Sequence, residues 1–469
     1  MFNQLGLYTD FYELTMAQGF FKNGWARKKA GFDYFFRSLP FEGGYLIFAG
    51  LSDLLEMLNR YRFSKDDLKY LRSKGFEKPF LNYLKDFRFQ GNIYSCREGE
   101  IVFPNEIIVR VEGNIIETQL IETLLLNILN FESLIATKAS RVCYAAKGRK
   151  VIDFGLRRAQ GFGGFHASKA AAIGGVTVTS NVMSANEFEL EVSGTQAHSW
   201  IEAFEDELTA FRKFAELYPD NCVLLVDTYN TLKSGVPNAI KIANEMKSRG
   251  RELKAIRLDS GDLAYLSKKS REMLDKEGFK NVKIIVSNQL DEHIIRSLLA
   301  QNAQVDIFGV GTNLITGKED AALDGVYKLS FFDRLDRLKI SDNIEKTLLP
   351  GKKKVLRHLD KGGNFYADVI VSDDHTKPSV MIHPFSPEKR LKLTGFAHEN
   401  LLIPVMKKGK STLKENHVSR IAEYASKRLS QLPEEHKRFE NPHIYKVGVS
   451  NNLLKKRNKM IKDIRSKFE

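Results

Sequence analysis

Five short clusters in this sequence carry groups that could act on a charged small molecule. The first runs from Asp153 to Gly161 and reads Asp-Phe-Gly-Leu-Arg-Arg-Ala-Gln-Gly. Its Phe154 could stack on a planar ring, and the guanidinium groups of Arg157 and Arg158 could hold a carboxylate or a phosphate. A buried ring followed by two surface arginines is the alternative, and the residues alone leave both interpretations open.

The second cluster is the stretch 194–200, Gly-Thr-Gln-Ala-His-Ser-Trp, which contains Thr195 and His198. We predict that a long helix over Trp200–Leu217 begins just after His198, and the N–H groups at a helix start suit phosphate. Histidine could act there as an acid, a base or a phosphate acceptor. A capping or core histidine is the alternative, although the flanking residues do not follow the spacing of an apolar helix face.

Two acidic clusters follow predicted strands. Arg257 opens the sequence Arg-Leu-Asp-Ser-Gly-Asp, which supplies Asp259, Ser260 and Asp262. The two carboxylates could hold Mg²⁺ or grip ribose hydroxyls, and they could equally cap a helix, since the two roles are compatible. Asp227, at the end of another predicted strand, is either a site residue or a simple turn carboxylate.

The fifth cluster is glycine-rich. Gly309 and Gly311 flank Val310 and precede Thr312. Glycines at a strand end let the backbone approach a phosphate closely. A Gly-x-Gly-Thr sequence is a weak signal alone, and its position beside the other clusters strengthens it.

A regular alternation of elements would position these clusters. From Lys150 onward, short apolar strands are predicted at Val151–Phe154, Val176–Thr179, Cys222–Val226, Leu253–Leu258, Val282–Val286 and Val305–Val310. Helices are predicted between them at Trp200–Leu217, Pro237–Arg249, Gly261–Glu277 and Asp291–Gln301. Such alternation predicts a parallel α/β barrel or part-barrel to about residue 330, with its site at the carboxyl ends of the strands.

The remaining sequence predicts a second, sheet-rich domain. Helices are expected at Phe11–Lys22, Asp53–Tyr61, Gln119–Leu129 and Leu134–Ala146, and strands at Phe32–Phe36 and Ile107–Val111. We predict an α+β domain built from segments 1–137 and 336–415, a barrel over 138–335 and a basic helical extension over 416–469.

Composition narrows the class of protein. With 469 residues, 43% of them hydrophobic, the chain can bury the cores of two domains. Its three cysteines lie far apart, and the apolar run Leu120–Leu129 is too short for a membrane span and contains Glu122. No secretory signal is visible, so we expect a cytoplasmic protein that does not enter membranes.

The net charge of +14 suits either nucleic acid or small anionic substrates. Much of the excess lies near the C-terminus, for example at 455–459. No aromatic residues interleave with these lysines, as stacking on a single strand would require, so a solvated helix face is favoured.

In order and spacing, these clusters resemble the nicotinate phosphoribosyltransferase family. The likeness begins at Tyr8–Met16, which reads Tyr-Thr-Asp-Phe-Tyr-Glu-Leu-Thr-Met, and continues to about Gly325–Lys328. It implies a type II phosphoribosyltransferase fold, in which an irregular α/β barrel accompanies a β-rich domain from both chain ends. It also implies a homodimer with shared sites, acting in NAD biosynthesis on nicotinic acid, 5-phosphoribosyl 1-pyrophosphate and ATP, with Mg²⁺.

The resemblance assigns roles residue by residue. Phe154 and the neighbouring subunit's Tyr12 would sandwich the pyridine ring, and His198 would be phosphorylated by ATP with Asp227 orienting it. Further contacts to nicotinate or the phosphoribosyl donor would come from Arg157 or Arg158, Thr195 and Arg257. The ribose and Mg²⁺ would be held by Asp259, Ser260 and Asp262, and the 5′-phosphate by Gly309, Gly311 and Thr312.

Other interpretations remain. Nicotinamide phosphoribosyltransferase is the nearest, quinolinate phosphoribosyltransferase is more distant, and a nucleic-acid-binding or non-catalytic interaction protein is supported only by charge or by fold. In nicotinamide enzymes the resemblance places an aspartate near the end of the second barrel strand. Here Ser180 stands in what looks like that place, so we expect selectivity for nicotinate.

Overall fold

The computed structural model describes residues 5–341, 348–375, 377–413 and 417–468. The chain divides into two compact units, the first comprising residues up to 134 and from 322 onward, the second residues 135–321. The expected domain built from both chain ends is therefore confirmed.

Unit 1 contains two large sheets within the described ranges. The antiparallel sheet has, in spatial order, β14 (Leu335–Asp336), β13 (Gly325–Phe332), β1 (Lys29–Phe36), β5 (Val109–Asn114), β3 (Asn92–Ser95), β20 (Ile403–Lys407) and β21 (Lys410–Ser411). The mixed sheet has β18 (Arg390–Lys392), β17 (Val380–Ile382), β22 (Val447–Ser450), β16 (Phe365–Ser372), β15 (Lys353–Leu359) and β19 (Ala397–Asn400). A small pair is formed by β2 (Leu46–Ile47) and β4 (Ile101–Val102).

The helices of unit 1 are α1 (Phe11–Lys22), α2 (Leu51–Arg60), α3 (Lys65–Ser73), α4 (Lys78–Lys85), α5 (Ile115–Gln119), α15 (Val418–Gln431) and α16 (Asn451–Arg465). Short 3₁₀ turns lie at Pro40–Glu42 and Glu434–His436. The C-terminal segment 416–469 was expected to be a helical extension. It contains the helices α15 and α16, but β22 lies between them and pairs with both β16 and β17.

Unit 2 holds a parallel sheet, whose strands among the described residues are β8 (Glu191–Val192), β7 (Val178–Thr179), β6 (Lys150–Asp153), β12 (Ile307–Val310), β11 (Lys283–Ser287), β10 (Ala255–Leu258) and β9 (Val223–Leu225) in spatial order. Every neighbouring pair is parallel. The order is the chain order read around a circle, with a break between β8 and β9. An irregular barrel, as expected, is confirmed.

Helices follow the strands of this barrel: α7 (Gly163–Ile173), α8 (Val182–Phe188), α9 (His198–Glu202), α10 (Glu207–Leu217), α11 (Val236–Ser248), α12 (Leu263–Lys276), α13 (Glu292–Ala300) and α14 (Thr312–Ile315). A 3₁₀ turn lies at Leu156–Arg158 and a π turn at Thr231–Gly235. Apolar runs such as Val223–Leu225 are buried throughout, as parallel strands covered on both faces require.

Two helix predictions were wrong. The helices expected at Gln119–Leu129 and Leu134–Ala146 form one continuous helix, α6 (Glu122–Ala145), since no glycine or proline between them would end it. The helix expected over Trp200–Leu217 is broken, because Asp206 takes an extended conformation and caps α10 by accepting from the N–H of Thr209.

The stretch Ile115–Ala145 is long and apolar enough to cross a membrane by length and composition. Within the protein, 72% of its most apolar window is buried. That burial accounts for the apolar composition, as in the core helix of a globular unit.

Candidate active site

Arg257, on β10, joins three other strand-end or loop residues of unit 2. Its Nε donates to Ser287 Oγ at 2.9 Å, its Nη1 to Thr195 Oγ1 at 3.1 Å and its Nη2 to Asp259 Oδ1 at 2.9 Å. The guanidinium carbon also lies 5.0 Å from the ring centre of Phe154. The parallel strands therefore bring three predicted site residues, Thr195, Asp259 and Phe154, around one cation.

The Phe154 ring is fixed by its backbone and by a glycine. Its N–H donates to the carbonyl of Val310 at 2.8 Å, and the side chain is buried. A Cβ atom on Gly309 would lie 2.4 Å from a carbon of the Phe154 ring. Ring packing thus explains the glycine at 309 without a phosphate, whereas Gly311 has more room, with Phe154 O at 3.3 Å from its Cβ position.

Asp153 anchors the loop that carries Phe154. Its Oδ1 accepts from the N–H of Gly155 at 2.7 Å, and its Oδ2 accepts from Ser168 at 2.8 Å and Thr179 at 2.7 Å. Burial raises the pKa of this carboxyl, although the three hydrogen bonds oppose the rise. Because all its recorded partners are internal, Asp153 positions the site rather than contacting a ligand.

Asp227 braces the next acidic loop. Its Oδ2 accepts from the N–H of Asp259 at 2.9 Å and from the hydroxyl of Ser260 at 2.6 Å. Its Oδ1 is buried without a hydrogen-bond partner among the described residues. One carboxylate oxygen of Asp227 therefore holds the backbone of Asp259, and the other is left without a partner among the described residues.

Asp262 caps α12. Its side chain accepts from the N–H of Tyr265 at 3.0 Å, after a turn in which Gly261 has a φ of 77°. The helix-cap interpretation is therefore correct for this carboxylate. A cap uses one carboxylate oxygen and leaves the other for a ligand.

His198 is the first residue of α9, a helix of 5 residues rather than the long helix expected. Its Nδ1 lies 3.1 Å from Thr228 Oγ1. The resemblance implies that Asp227 orients this imidazole, whereas the hydrogen bonds of Asp227 among the described residues go to the Asp259 loop. The residue that forms a hydrogen bond with the imidazole of His198 is Thr228.

The remaining predicted residues of unit 2 lie on the turns and helix starts that follow the strands. Arg157 and Arg158 are exposed on the 3₁₀ turn after Phe154, and Thr312 begins α14. Ser180 is half-buried, and its N–H donates to the carbonyl of Asp153 at 2.9 Å.

Tyr12 belongs to unit 1. It lies on α1 with 46% of its side chain exposed, beside the exposed Tyr8 and Phe11. Burial of the rest of the ring, with the nearby carboxylate of Glu122, raises the pKa of the Tyr12 hydroxyl. Glu13 ties this helix down, since its buried carboxylate accepts from the hydroxyl of Thr123 at 2.6 Å.

Sequence reasoning missed three residues that complete the network of unit 2. Ser287 donates to Asp259 and accepts from Arg257. Asn181 is buried, donating to Gly164 O and Ser168 Oγ. Ser287 directly follows the predicted strand Val282–Val286, and Thr228 lies two residues after the predicted strand Cys222–Val226. Those positions were the signal that could have identified them.

The barrel and its strand-end network define an α/β-barrel enzyme whose site combines an aromatic ring, a guanidinium and carboxylates. Three family models match the chain: the nicotinate phosphoribosyltransferase N-terminal domain over residues 7–130, the nicotinate phosphoribosyltransferase family over 149–356, and the C-terminal domain over 352–457.

Individual relatives of the chain carry the same family name. The chain is 43% identical to the nicotinate phosphoribosyltransferase of Bacillus subtilis, covering 100% of this chain and 97% of the relative, and 38% identical to one of Mycobacterium tuberculosis, covering 96% and 92%. The crystal structure of human nicotinic acid phosphoribosyltransferase is similar with a TM-score of 0.87 at 27% identity, covering 96% of this chain and 99% of that one. The chain belongs to the nicotinate phosphoribosyltransferase family and is an enzyme of NAD salvage. The family and activity expected from the motifs are confirmed.

Proposed function

We propose that this chain forms nicotinate mononucleotide and pyrophosphate from nicotinic acid and 5-phosphoribosyl 1-pyrophosphate, coupled to ATP hydrolysis through a phosphohistidine at His198. The observation that carries the proposal is the Arg257 network. A guanidinium has five N–H donors, and the three hydrogen bonds to Ser287, Thr195 and Asp259 leave two for a substrate.

Nicotinate would lie against Phe154. The pyridine ring would stack on the aromatic ring while its carboxylate accepts from Arg257, with Arg157 or Arg158 adding positive charge nearby. Stacking holds the pyridine nitrogen in line with ribose C1. That nitrogen attacks through its own lone pair, so no protein base is needed.

The acidic loop Asp259–Asp262 would hold the phosphoribosyl donor, 5-phosphoribosyl 1-pyrophosphate. Ribose hydroxyls can donate to Asp259 and Asp262 and contact Ser260, while the backbone at Gly309 and Gly311 and the hydroxyl of Thr312 would receive the 5′-phosphate.

The carboxylate oxygens of this rim are of the type that Mg²⁺ takes, although Asp227, Asp259 and Asp262 do not bring three ligand atoms together among the described residues. The Oδ1 atom of Asp227 is buried without a partner among the described residues, and hard divalent cations take carboxylate oxygens. We assign Asp259 and Asp262, supported by Asp227, to hold Mg²⁺. Bound there, the ion would supply positive charge to the departing pyrophosphate.

His198 would carry the phosphoryl group of ATP on Nε2. With Nδ1 held 3.1 Å from Thr228 Oγ1, the ring has one nitrogen engaged and the other available. Formation of an N–P bond on Nε2 breaks the bond between the γ-phosphorus and the bridging oxygen, and releases ADP.

We also propose a homodimer in the cytoplasm, with Tyr12 of the partner subunit closing each nicotinate site. The exposure of Tyr8, Phe11 and Tyr12 supports it, since adjacent exposed aromatic side chains mark interaction surfaces. We further propose that the chain is organised in four segments, 1–137, 138–335, 336–415 and 416–469.

Pyrophosphate release by the purified full-length chain, with the phosphoribosyl donor, ATP and Mg²⁺, tests the function. We expect release to require nicotinate, and Arg257→Gln to lower kcat/KM for nicotinate roughly tenfold to a hundredfold, the value of a charge-assisted hydrogen bond. Arg251→Gln is the control, because Arg251 is exposed just before the same strand. Equal kcat/KM in the two variants would contradict the role of Arg257, and comparable turnover of nicotinamide would favour the alternative enzyme.

A further inference from the structure

A large cavity in unit 1 carries an excess of positive charge. Its volume is about 880 Å³, and the described residues that line it include seven lysines or arginines and a single acidic residue, Asp33. The carboxylate of Asp33 is already paired with Lys353, whose Nζ lies 2.8 Å away. No second acidic residue lies among the described lining residues, although Arg37 is paired outside the lining, with Asp324 at 3.9 Å.

Sheet pairing gathers part of this charge at one place. In β17, Ile382 pairs with Arg390 of β18 on one side and with Val449 of β22 on the other. Both pairings are antiparallel, so Lys389 and Arg390 at the start of β18 and Lys446 just before β22 lie at the same end of the three strands.

The decisive residue is Arg457, on α16. It lines the cavity, only 4% of it is exposed, and its Nη1 is buried without a hydrogen-bond partner among the described residues. Its Nε makes one hydrogen bond, to Asn458 Oδ1 at 3.3 Å. Burial lowers the pKa of this guanidinium. Since a buried unpaired charge is costly, a cavity that keeps one is built for an anion.

Apolar side chains form much of the remaining wall. Leu349, Ile370, Met381, Tyr445 and Val449 line the same cavity. Ligand pockets typically enclose about 300–1,000 Å³ of mostly apolar surface with a few well-placed polar groups. The ligand that fits combines a phosphate with a flat or apolar part.

We infer that this cavity is a second ligand site, which binds an organic phosphate of the nucleotide class through Arg457, Lys389, Arg390 and Lys446. All its lining residues belong to unit 1. The Arg257 network lies in unit 2 and takes no part in it.

Calorimetric titration of the full-length protein with AMP tests the inference. We expect Arg457→Leu to weaken AMP binding roughly tenfold to a hundredfold, the loss of one charge-assisted hydrogen bond. The control Lys459→Gln, an exposed cation on the same helix, should leave binding unchanged, and so should Arg257→Ala, which removes the cation of the other site. Adenosine and inorganic phosphate should each bind more weakly than AMP.

Several results would overturn the inference. One is that the wild-type protein does not bind AMP. Another is that AMP binding is lost in Arg257→Ala and kept in Arg457→Leu. The third is that inorganic phosphate binds as tightly as AMP. Without ligand, Arg457→Leu should melt no lower than wild type, because it removes an unpaired buried charge. If that variant does not fold, the double variant Lys389→Gln, Lys446→Gln decides, since both residues are exposed. An AMP affinity that is unchanged in this double variant would also refute the site.

Discussion

At the His198 side chain, one ring nitrogen is held and the other is left for chemistry. Thr228 occupies Nδ1, which favours a fixed ring orientation and an accessible Nε2. We expect His198→Ala to abolish acid-labile phosphate on the protein after incubation with γ-labelled ATP. Thr228→Val should slow labelling roughly tenfold, the value of one hydrogen bond, without abolishing it.

The control for this labelling is His398→Ala, which alters an exposed histidine of unit 1. Its labelling should equal that of the unmodified protein. Labelled phosphate that persists in His198→Ala would show that another residue is modified.

At Ser180 the prediction concerns charge. Ser180 directly follows β7, its backbone N–H donates to the carbonyl of Asp153, and its side chain is half-buried and neutral. An aspartate there would repel the carboxylate of nicotinate and could accept from the amide of nicotinamide. We expect the unmodified protein to prefer nicotinate by roughly a hundredfold in kcat/KM, and Ser180→Asp to lower that ratio.

Ser180→Asn is the matched control, since it has a similar size to aspartate without its charge. It should keep most of the preference for nicotinate. Equal kcat/KM for the two pyridines in the unmodified protein would refute the selectivity that we propose.

At the scale of elements, β6 and β12 meet at the Phe154 ring. Because the Phe154 ring leaves no room for a Cβ at position 309, Gly309→Ala should displace that ring. Overpacking of a well-packed site costs about 1–3 kcal/mol. We expect a lower melting temperature and a raised KM for nicotinate, measured by calorimetry and steady-state kinetics.

Gly19→Ala is the comparison, since a Cβ there meets nothing within 4 Å. That variant should retain the KM and should not lose stability, because alanine is favoured over glycine in a helix. An unchanged KM in Gly309→Ala would mean that the ring position is not critical for nicotinate binding.

For the whole molecule, the proposed dimer makes a prediction about mixed subunits. Tyr12→Ala and His198→Ala should each be inactive alone, because each removes one half of every site. In heterodimers one site would receive both defects and the other neither. We expect roughly half of the activity per dimer to return on mixing, measured after separation of differently tagged heterodimers. No recovery in verified heterodimers would contradict shared sites.

Much of this protein follows from local patterns in its sequence. The alternation of apolar strands and helices predicted the barrel, because buried parallel strands and amphipathic helices each have a recognisable period. The same pattern placed Asp227, Asp259 and Gly309 at strand ends, and α1 was predicted with the bounds that it has. The order and spacing of the motifs identified the family.

Only the tertiary structure decided which of these residues touch. Arg257 is joined to Thr195, which lies 62 positions away in the chain, and no local pattern specifies such a pairing. Gly309 was interpreted as part of a phosphate cradle, and the structure adds a second reason for this glycine, because its missing side chain makes room for Phe154. Contacts of this kind depend on the closing of the barrel.

The same limit explains the cavity of unit 1. By sequence, Arg457 was one more cation of a solvated helix face, because four of the five residues at 455–459 are basic. Burial is set by which surface α16 packs against, and that surface includes β22, which the sequence did not reveal. The sequence by itself determined the family, the barrel and its strand-end residues, since these follow from local periodicity and motif order. Packing between distant segments decided which charged side chains are buried and which groups they contact.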